Sequence, residues 1–97
     1  MEDREYLIIL YDYYGELLSD IQREYFELYY FDNLSLAEIS ENDGKSRNAI
    51  HKCIKSSSSK LYEYEDKLKL YEKRKKLNKV IGLIEDNKIK EVLRDLI

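Results

Sequence analysis

Apolar side chains recur along most of the chain at intervals of three and four residues, the spacing of one face of an α-helix. The first stripe predicts a helix from Arg4 to Leu18. The second predicts a helix that Ser19 and Gln22 open with a capping box and that ends near Phe31. The stripes consist of Leu7, Leu10, Tyr11, Tyr14 and Leu18 in the first helix, and of Ile21, Tyr25, Leu28 and Tyr29, widened by Phe26 and Tyr30, in the second.

Residues 35–60 predict two further helices joined by a tight turn. Ser35 and Glu38 form a second capping box, and Gly44 suits the left-handed conformation that ends a helix. Ser46 can cap the next helix, whose buried stripe is Ala49, Ile50, Cys53 and Ile54. Short helices joined by a turn of this kind are typical of the helix-turn-helix motif, whose second helix lies in the DNA major groove. In such a motif we expect Ile39 to meet Ile50 across the turn.

The last part of the chain predicts a long helix and a short terminal one. The stripe continues through Leu61, Tyr64, Leu68 and Tyr71, and we expect the serines at 56–59 to fray or bend the helix, since Ser favours hydrogen bonds outside helices. A charged run at 72–76 interrupts the stripe. It resumes with Leu77, Val80, Ile81 and Ile84, and Asn87 is the expected break before a terminal helix with Ile89, Val92, Leu93, Leu96 and Ile97.

These elements predict an all-α protein. Residues 1–60 form a four-helix region with the helix-turn-helix at 35–60, and residues 61–97 form a helical extension of the same domain. The extension has more apolar positions than this small region can cover, which favours a homodimer built from residues 61–97. The alternative is that the extension folds back on the tyrosine-rich first helix of its own chain, which would give a monomer.

Charge changes the picture more than composition does. The net charge of −3 divides unevenly, because residues 1–44 hold twelve acids and two bases, whereas residues 45–60 hold five bases and no acid. A basic helix on an acidic body favours docking in one orientation on an anionic surface. With Ile50, Cys53 and Ile54 inward, the residues predicted to face double-stranded DNA are Arg47, Asn48, His51, Lys52, Lys55 and Lys60.

Within this set the roles should differ. Arg and Lys can pair with guanine and Asn with adenine, so the first turns can read base edges. Lys55 and Lys60 lie further along the helix, where phosphate contacts are expected. The alternative is that this basic face is only the solvated surface of an ordinary helical bundle.

The sequence contains no arrangement of residues that predicts catalysis. The only His and the only Cys, His51 and Cys53, are two residues apart on different faces of the predicted helix, and no ligand set for a metal is found. We therefore expect no enzyme activity and no cofactor. The chain has no apolar run long enough for a membrane span, its start is acidic rather than basic, and one Cys suits a reducing cytoplasm.

The segment ELLSDIQREYFELYYFDNLSLAEISENDGKSRNAIHKCIK, with YEYEDKLKLYEK after it, resembles the YlxM family of small bacterial helix-turn-helix proteins, which are encoded beside the signal recognition particle GTPase. The resemblance covers about residues 4–76. The family is similar to region 4 of the bacterial sigma factors, and the resemblance implies a regulatory role in the signal recognition particle pathway. It also places Arg47, Asn48 and Lys52 where sigma-type recognition helices contact bases.

The chain departs from that family in the turn of the motif. The family usually has apolar residues where this chain has Asp43 and Lys45, which predicts a looser turn and implies that Lys45→Val would stabilise the protein.

Two functions follow from the sequence. The first is regulation through DNA binding. The alternative is an adaptor that docks on the signal recognition particle GTPase or its RNA without binding DNA, which the acidic first half and the long C-terminal helix favour.

Overall fold

A computed structural model describes residues 3–97, and this part of the chain forms six α-helices, one short 3₁₀ turn and no β-strand. The first two residues of the acidic N-terminal stretch, Met1 and Glu2, lie outside the described residues. The prediction of an all-α helix-turn-helix bundle is confirmed. The helices are α1 (Arg4–Tyr14), α2 (Asp20–Tyr30), α3 (Leu36–Asp43), α4 (Arg47–Leu68), α5 (Leu70–Gly82) and α6 (Asn87–Asp95).

Helices α2, α3 and α4 begin at the positions that their predicted capping residues indicated. The Ser19 hydroxyl accepts a hydrogen bond from the Gln22 backbone at 3.3 Å, and the Gln22 side chain accepts one from the Ser19 backbone at 3.0 Å. Ser35 and Glu38 form the same reciprocal pair at the start of α3, with both distances 3.1 Å. Ser46 caps α4 by accepting from the Ala49 backbone at 3.1 Å. Each cap satisfies backbone N–H groups that a helix leaves unpaired at its start.

The first helix is shorter than predicted. α1 ends at Tyr14, and a 3₁₀ turn at Gly15–Leu17 follows it, so the expected end at Leu18 was wrong. Leu18 is extended because its side chain enters the core and the next residue must adopt the extended conformation of an N-cap. A Cβ at Gly15 would lie 3.0 Å from the ring of Tyr11, so a larger residue there would require that ring to shift by a few tenths of an ångström.

The core gathers the buried faces of α1 to α4, and α4 packs against the other three. Its buried apolar residues are Leu7, Leu10, Tyr14, Leu18, Tyr25, Phe26, Tyr30, Ile39, Ile50, Ile54 and Leu61. In α2 the buried face is centred on Phe26 and Tyr30, with Gln22 and Tyr25 beside them, whereas Ile21 is 39% exposed. The predicted stripe in this helix was therefore displaced, because the wide apolar surface allowed two choices of face.

The four serines do not fray α4, contrary to the prediction, since the helix is continuous from Arg47 to Leu68. Ser57 and Ser58 are fully buried, and their hydroxyls donate to the carbonyls of Cys53 at 2.9 Å and Ile54 at 3.1 Å. The Gln22 side chain of α2 donates to Ser56 at 3.3 Å. Buried serines are tolerated here because every hydroxyl finds an acceptor, and their small size lets α2 lie close to α4.

The long helix breaks at Lys69, not in the charged run at 72–76 where the stripe was interrupted. Lys69 takes the left-handed conformation with φ 54°, and α5 starts directly after it. The buried Glu65 carboxylate accepts hydrogen bonds from the backbones of Tyr71 and Glu72, both at 3.1 Å. It also accepts one from the Tyr14 hydroxyl at 2.5 Å. A single carboxylate therefore caps α5 and ties the junction to α1.

The last two helices form an arm, defined here as residues 70–97, that extends from the bundle. The radius of gyration of 17.3 Å exceeds the roughly 13 Å of a compact domain of this length, and the longest dimension is 56 Å. The break before α6 lies at residues 83–86, and Asn87 begins α6 instead of breaking the chain, because the Asp86 carboxylate caps that helix.

Part of the extension packs on α1, as the fold-back alternative predicted, and pairing of two copies stays a prediction. Residues 62–71 fold back on α1, where Tyr62 and Tyr71 lie 5.9 Å from the ring of Tyr6 and Tyr64 lies 5.9 Å from that of Tyr14. The arm leaves an apolar face uncovered, including Leu83 at 83% exposure. Its other exposed members are Leu70, Leu77, Val80, Ile89, Val92, Leu96 and Ile97.

Candidate nucleic-acid interface

The helix-turn-helix is formed by α3, the turn at residues 44–46, and the first turns of α4. Ile39 and Ile50 are buried in the same core cluster on the two sides of the turn, as expected. Gly44 is left-handed with φ 72°, and its N–H donates to the Ser40 carbonyl at 2.9 Å. The Ser40 hydroxyl donates to the Lys45 carbonyl at 2.5 Å. These bonds fix the angle at which α4 leaves the turn.

Polar contacts seal this turn in place of the apolar residues expected from the resemblance. The Tyr25 hydroxyl of α2 donates a hydrogen bond to the Asp43 carboxylate, and the Lys45 ammonium lies 5.4 Å from the centre of the Tyr25 ring. Burial and the hydrogen bond to Asp43 raise the pKa of Tyr25, and its hydroxyl in turn raises the pKa of Lys45. The prediction of a loose turn was wrong, because a tyrosine from α2 supplies partners to both polar residues.

The six residues predicted to face DNA are all exposed on α4: Arg47, Asn48, His51, Lys52, Lys55 and Lys60. At 3.6 residues per turn the first five fall within an arc of about 140° on the helix surface. The arc begins at Arg47, about 20° from the buried Ile54, and extends away from the core to Lys52. Lys60 comes 13 positions after Arg47, about 20 Å along the axis, and points to a different flank. The structure thus brings five of the six together.

The cations of this face have no acidic partner in the described chain. Among residues 3–97, ion pairs involve Lys67 with Glu63 at 2.8 Å, and Lys69 and Lys76 with Glu72 at 3.7 and 3.5 Å. None involves Arg47, Lys52, Lys55 or Lys60. The hydrogen bond between Glu63 and Lys67 is the main cause of the lowered pKa of Glu63. Lys60 contributes only a small part of that lowering. The positive charges of Arg47, Lys52, Lys55 and Lys60 are therefore available to an external anion.

The rest of the surface has a different electrostatic character. Every acid among residues 3–44 is exposed, so the α1 to α3 side of the bundle is strongly negative. The cations of α5 are partly engaged, since Arg74 donates to the Tyr13 hydroxyl at 3.2 Å and Lys75 lies 5.1 Å from the Tyr71 ring centre. Binding to a polyanion is thus favoured on the α4 face and opposed on the acidic side.

A groove beside the exposed basic face of α4 was not predicted from the sequence. It has a volume of about 470 Å³ and lies between α4 and the ends of α1, α2 and α3. His51 and Lys55 border it together with Arg4. The sequence around Arg4 does not predict its place at the groove, because that place depends on contacts to Tyr30 and Asn33, which are 26 and 29 residues away.

The residues of this face do not form a metal or nucleophile site. No group of three or more His, Cys, Asp or Glu side chains within residues 3–97 is arranged to hold a metal ion. Cys53 is half-buried, and burial raises the pKa of its thiol, which disfavours the reactive thiolate. Across the same residues no helix is both long and apolar enough to cross a membrane.

Comparisons with known proteins agree with this geometry. The model of the UPF0122 family, described as "Putative helix-turn-helix protein, YlxM / p13 like", matches residues 1–96. A UPF0122 protein of Ureaplasma urealyticum is 44% identical over 93 residues, which cover 96% of this chain and 94% of the relative. One from Clostridium kluyveri is 49% identical over 77 residues (79% and 69%), and one from Fusobacterium nucleatum is 41% identical over 88 residues (91% and 85%).

Proposed function

Because the chain belongs to the UPF0122 family of YlxM/p13-like proteins, whose description is that of a helix-turn-helix protein, we propose that it is a regulatory protein that binds double-stranded DNA through α4. The observation that carries the proposal is the exposed face of α4, whose cations have no acidic partner in residues 3–97. A DNA duplex supplies the missing anions at regular spacing, and their neutralisation releases counterions.

The six residues predicted to contact DNA, five on this face and Lys60 on another flank of α4, have two roles in the proposal. Arg47, Asn48, His51 and Lys52 lie in the first turns, which enter the major groove in helix-turn-helix proteins and contact base edges. Lys55 and Lys60 lie further along and hold phosphates, which positions the helix without reading sequence. The fixed turn between α3 and α4 supports this assignment, since it holds α4 at one angle to the bundle.

Binding to a preferred duplex, selected from a randomised pool, fluorescently labelled and measured by anisotropy, tests the proposal. Arg47→Ala and Lys52→Ala should each weaken binding about tenfold, as expected for contacts that contribute about 1–3 kcal/mol. Lys79→Ala on α5 is the matched control and should bind like the parent, because this exposed cation lies outside the α4 face. Circular dichroism should show the same helix content in all variants. Parental affinity in both α4 variants would remove the assignment of α4 as the recognition helix.

The proposal extends to the organisation of the chain. Residues 1–60 hold the helix-turn-helix region, residues 61–97 extend the same domain, and two copies pair through the extension. The uncovered apolar side chains of the arm support this pairing, since a face of that kind usually marks an interface. Light scattering at micromolar concentration should give the mass of a dimer, and Val80→Glu with Val92→Glu should give a monomer. A monomeric mass for the parent contradicts this part.

The biological setting follows from the resemblance to the YlxM family, which supports a regulatory role in the signal recognition particle pathway in the cytoplasm. A second candidate is a protein adaptor that docks on the signal recognition particle GTPase or its RNA. The exposed acids of residues 3–44 favour it, because they can meet a basic partner directly. Pull-downs with and without DNase discriminate the two, using the parent and the Arg47→Ala/Lys52→Ala double variant. An adaptor retains its partner in both tests, whereas a DNA-binding protein loses its DNA.

A further inference from the structure

The groove beside α4 combines an apolar floor with a cationic rim. Tyr29 and Leu36 are half-buried and Ile54 is buried, and together they provide the floor. Arg4, His51 and Lys55 stand at the rim and are exposed. The volume of about 470 Å³ falls within the roughly 300–1,000 Å³ of sites that hold small molecules.

The rim charges are not neutralised by the described chain. The Arg4 guanidinium donates to the Tyr30 carbonyl at 2.5 Å and to the Asn33 side-chain oxygen, and both acceptors are uncharged. Lys55 forms no ion pair within residues 3–97. The hydrogen bonds therefore fix the position of the Arg4 guanidinium, and no carboxylate within residues 3–97 forms an ion pair with it. A held guanidinium is suited to a carboxylate, sulfonate or phosphate group.

We propose that this groove binds a small amphipathic anion, in which an acidic group meets Arg4 and Lys55 and an aromatic or aliphatic body lies on Leu36 and Ile54. The size of the groove suits such a molecule. The arm of a second copy is a poor occupant, because α6 carries Lys88, Lys90 and Arg94 against two acids and would meet a rim of its own sign.

A second cavity does not share this chemistry. It has a volume of about 360 Å³ at the α4–α5 junction, where Glu65, Asp66 and Glu72 line it together with two lysines. Glu72 pairs with Lys69 and Lys76, and Glu65 caps α5, so its charges are largely used within the chain. Of these two cavities, the groove at Arg4 is the one with positive charge left to bind an external anion.

The position of the groove links the anion to DNA, a link that rests on the proposed function. His51 and Lys55 border the groove and also belong to the face proposed to contact DNA. An anion at the rim neutralises part of the charge that a phosphate would otherwise meet. The anion and DNA therefore weaken each other's binding, and thermodynamic linkage makes the effect equal in both directions.

The site is tested first without DNA, on the full ¹⁵N-labelled chain. The probe is 1-anilinonaphthalene-8-sulfonate, an aromatic anion, and its matched control is N-phenyl-1-naphthylamine, which lacks the sulfonate. Amide shifts should move at Arg4, Leu36, His51 and Lys55 with the anionic probe. The uncharged probe should bind the groove at least tenfold more weakly, since it forms no charge-assisted hydrogen bond.

Variants separate the groove from the exposed apolar arm. Lys55→Gln and Arg4→Gln should each weaken binding of the sulfonate roughly tenfold, whereas Lys79→Gln on the arm should leave it unchanged. Lys55→Gln remains decisive if Arg4→Gln lowers the melting temperature, because Lys55 forms no ion pair in the described chain. Shifts confined to residues 77–97, or equal affinity in the parent and Lys55→Gln, would overturn the site.

The link to DNA is measured separately by anisotropy with the selected duplex. Saturating sulfonate probe should weaken duplex binding by the parent several-fold and have a smaller effect on Lys55→Gln. If the groove binds the probe but the protein binds no duplex, the proposed function fails and the site stands. If duplex binds and the groove stays empty, the site fails and the proposed function stands.

Discussion

The hydroxyl of Tyr14 connects the bundle to the arm, and its removal by Tyr14→Phe should destabilise the protein. The hydroxyl donates to the buried Glu65 carboxylate at 2.5 Å and accepts from the Leu70 backbone at 3.0 Å. Phenylalanine keeps the ring in the core but leaves the Leu70 N–H without this acceptor. It also removes one donor from a buried carboxylate, which retains the backbone donors of Tyr71 and Glu72.

The expected cost is about 2 kcal/mol of unfolding free energy. A hydrogen bond to a charged group contributes about 1.5–3 kcal/mol, and an unpaired N–H adds a smaller penalty where water can reach it. Leu70 is exposed, which limits that second contribution. For a domain of about 100 residues, 1 kcal/mol corresponds to roughly 4–8 °C, so the melting temperature should fall by about 8–16 °C.

Urea and thermal unfolding followed by circular dichroism measure this difference. Tyr13→Phe is the matched control, since its hydroxyl accepts only from the exposed Arg74 at 3.2 Å and should change stability by less than about 0.5 kcal/mol. Equal stability of the two variants would refute the role of the Tyr14–Glu65 contact. Amide hydrogen exchange shows which part is affected. If Tyr14→Phe loses amide protection only in residues 70–97, the contact holds the arm in place and does not stabilise the bundle.

Three further outcomes are expected. Ile39→Ala and Ile50→Ala should each cost roughly 2–5 kcal/mol, as buried large-to-small changes do; denaturant midpoints that barely move would mean that α3 and α4 do not pack as described. Lys45→Val should lower the melting temperature, contrary to the expectation from the family pattern, because Lys45 lies over the Tyr25 ring. A higher melting temperature would mean that an apolar residue stabilises the turn better than this contact does. Burial and Glu65 raise the pKa of Tyr14 to about 12 from 10, so its contribution should be complete below pH 10 and disappear as the pH approaches 12. The stability difference between the parent and Tyr14→Phe should shrink over that range, and a difference that grows with pH contradicts the assignment.

Local signals explain the parts of the fold that the sequence predicted. The capping boxes at Ser19 and Ser35 and the cap at Ser46 use residues three positions apart, so their bonds are readable without tertiary information. Gly44 likewise takes its left-handed conformation at the helix end where the pattern stops. The buried side of α4 was predictable at Ile50 and Ile54 because few apolar residues compete for it, whereas Ala49, predicted to be buried, is exposed.

Contacts distant in sequence explain the differences. Serine propensity predicted that the helix would fray or bend at residues 56–59, but α4 is continuous there, where α2 packs against it. The break at Lys69 depends on Glu65, whose burial follows from Tyr14, 51 residues away. The same limit applies to Arg4 at the groove, since its place is set by Tyr30 and Asn33.

The central claim, that unpaired cations of α4 bind DNA phosphates, is tested most directly by the salt dependence of duplex affinity. The slope of log Kobs against log salt concentration falls in magnitude by about 0.9 for each phosphate contact removed. Lys55→Ala and Lys60→Ala should each reduce the slope by about that amount relative to the parent, while Lys79→Ala leaves it unchanged. A slope that is the same in all four proteins would contradict the claim.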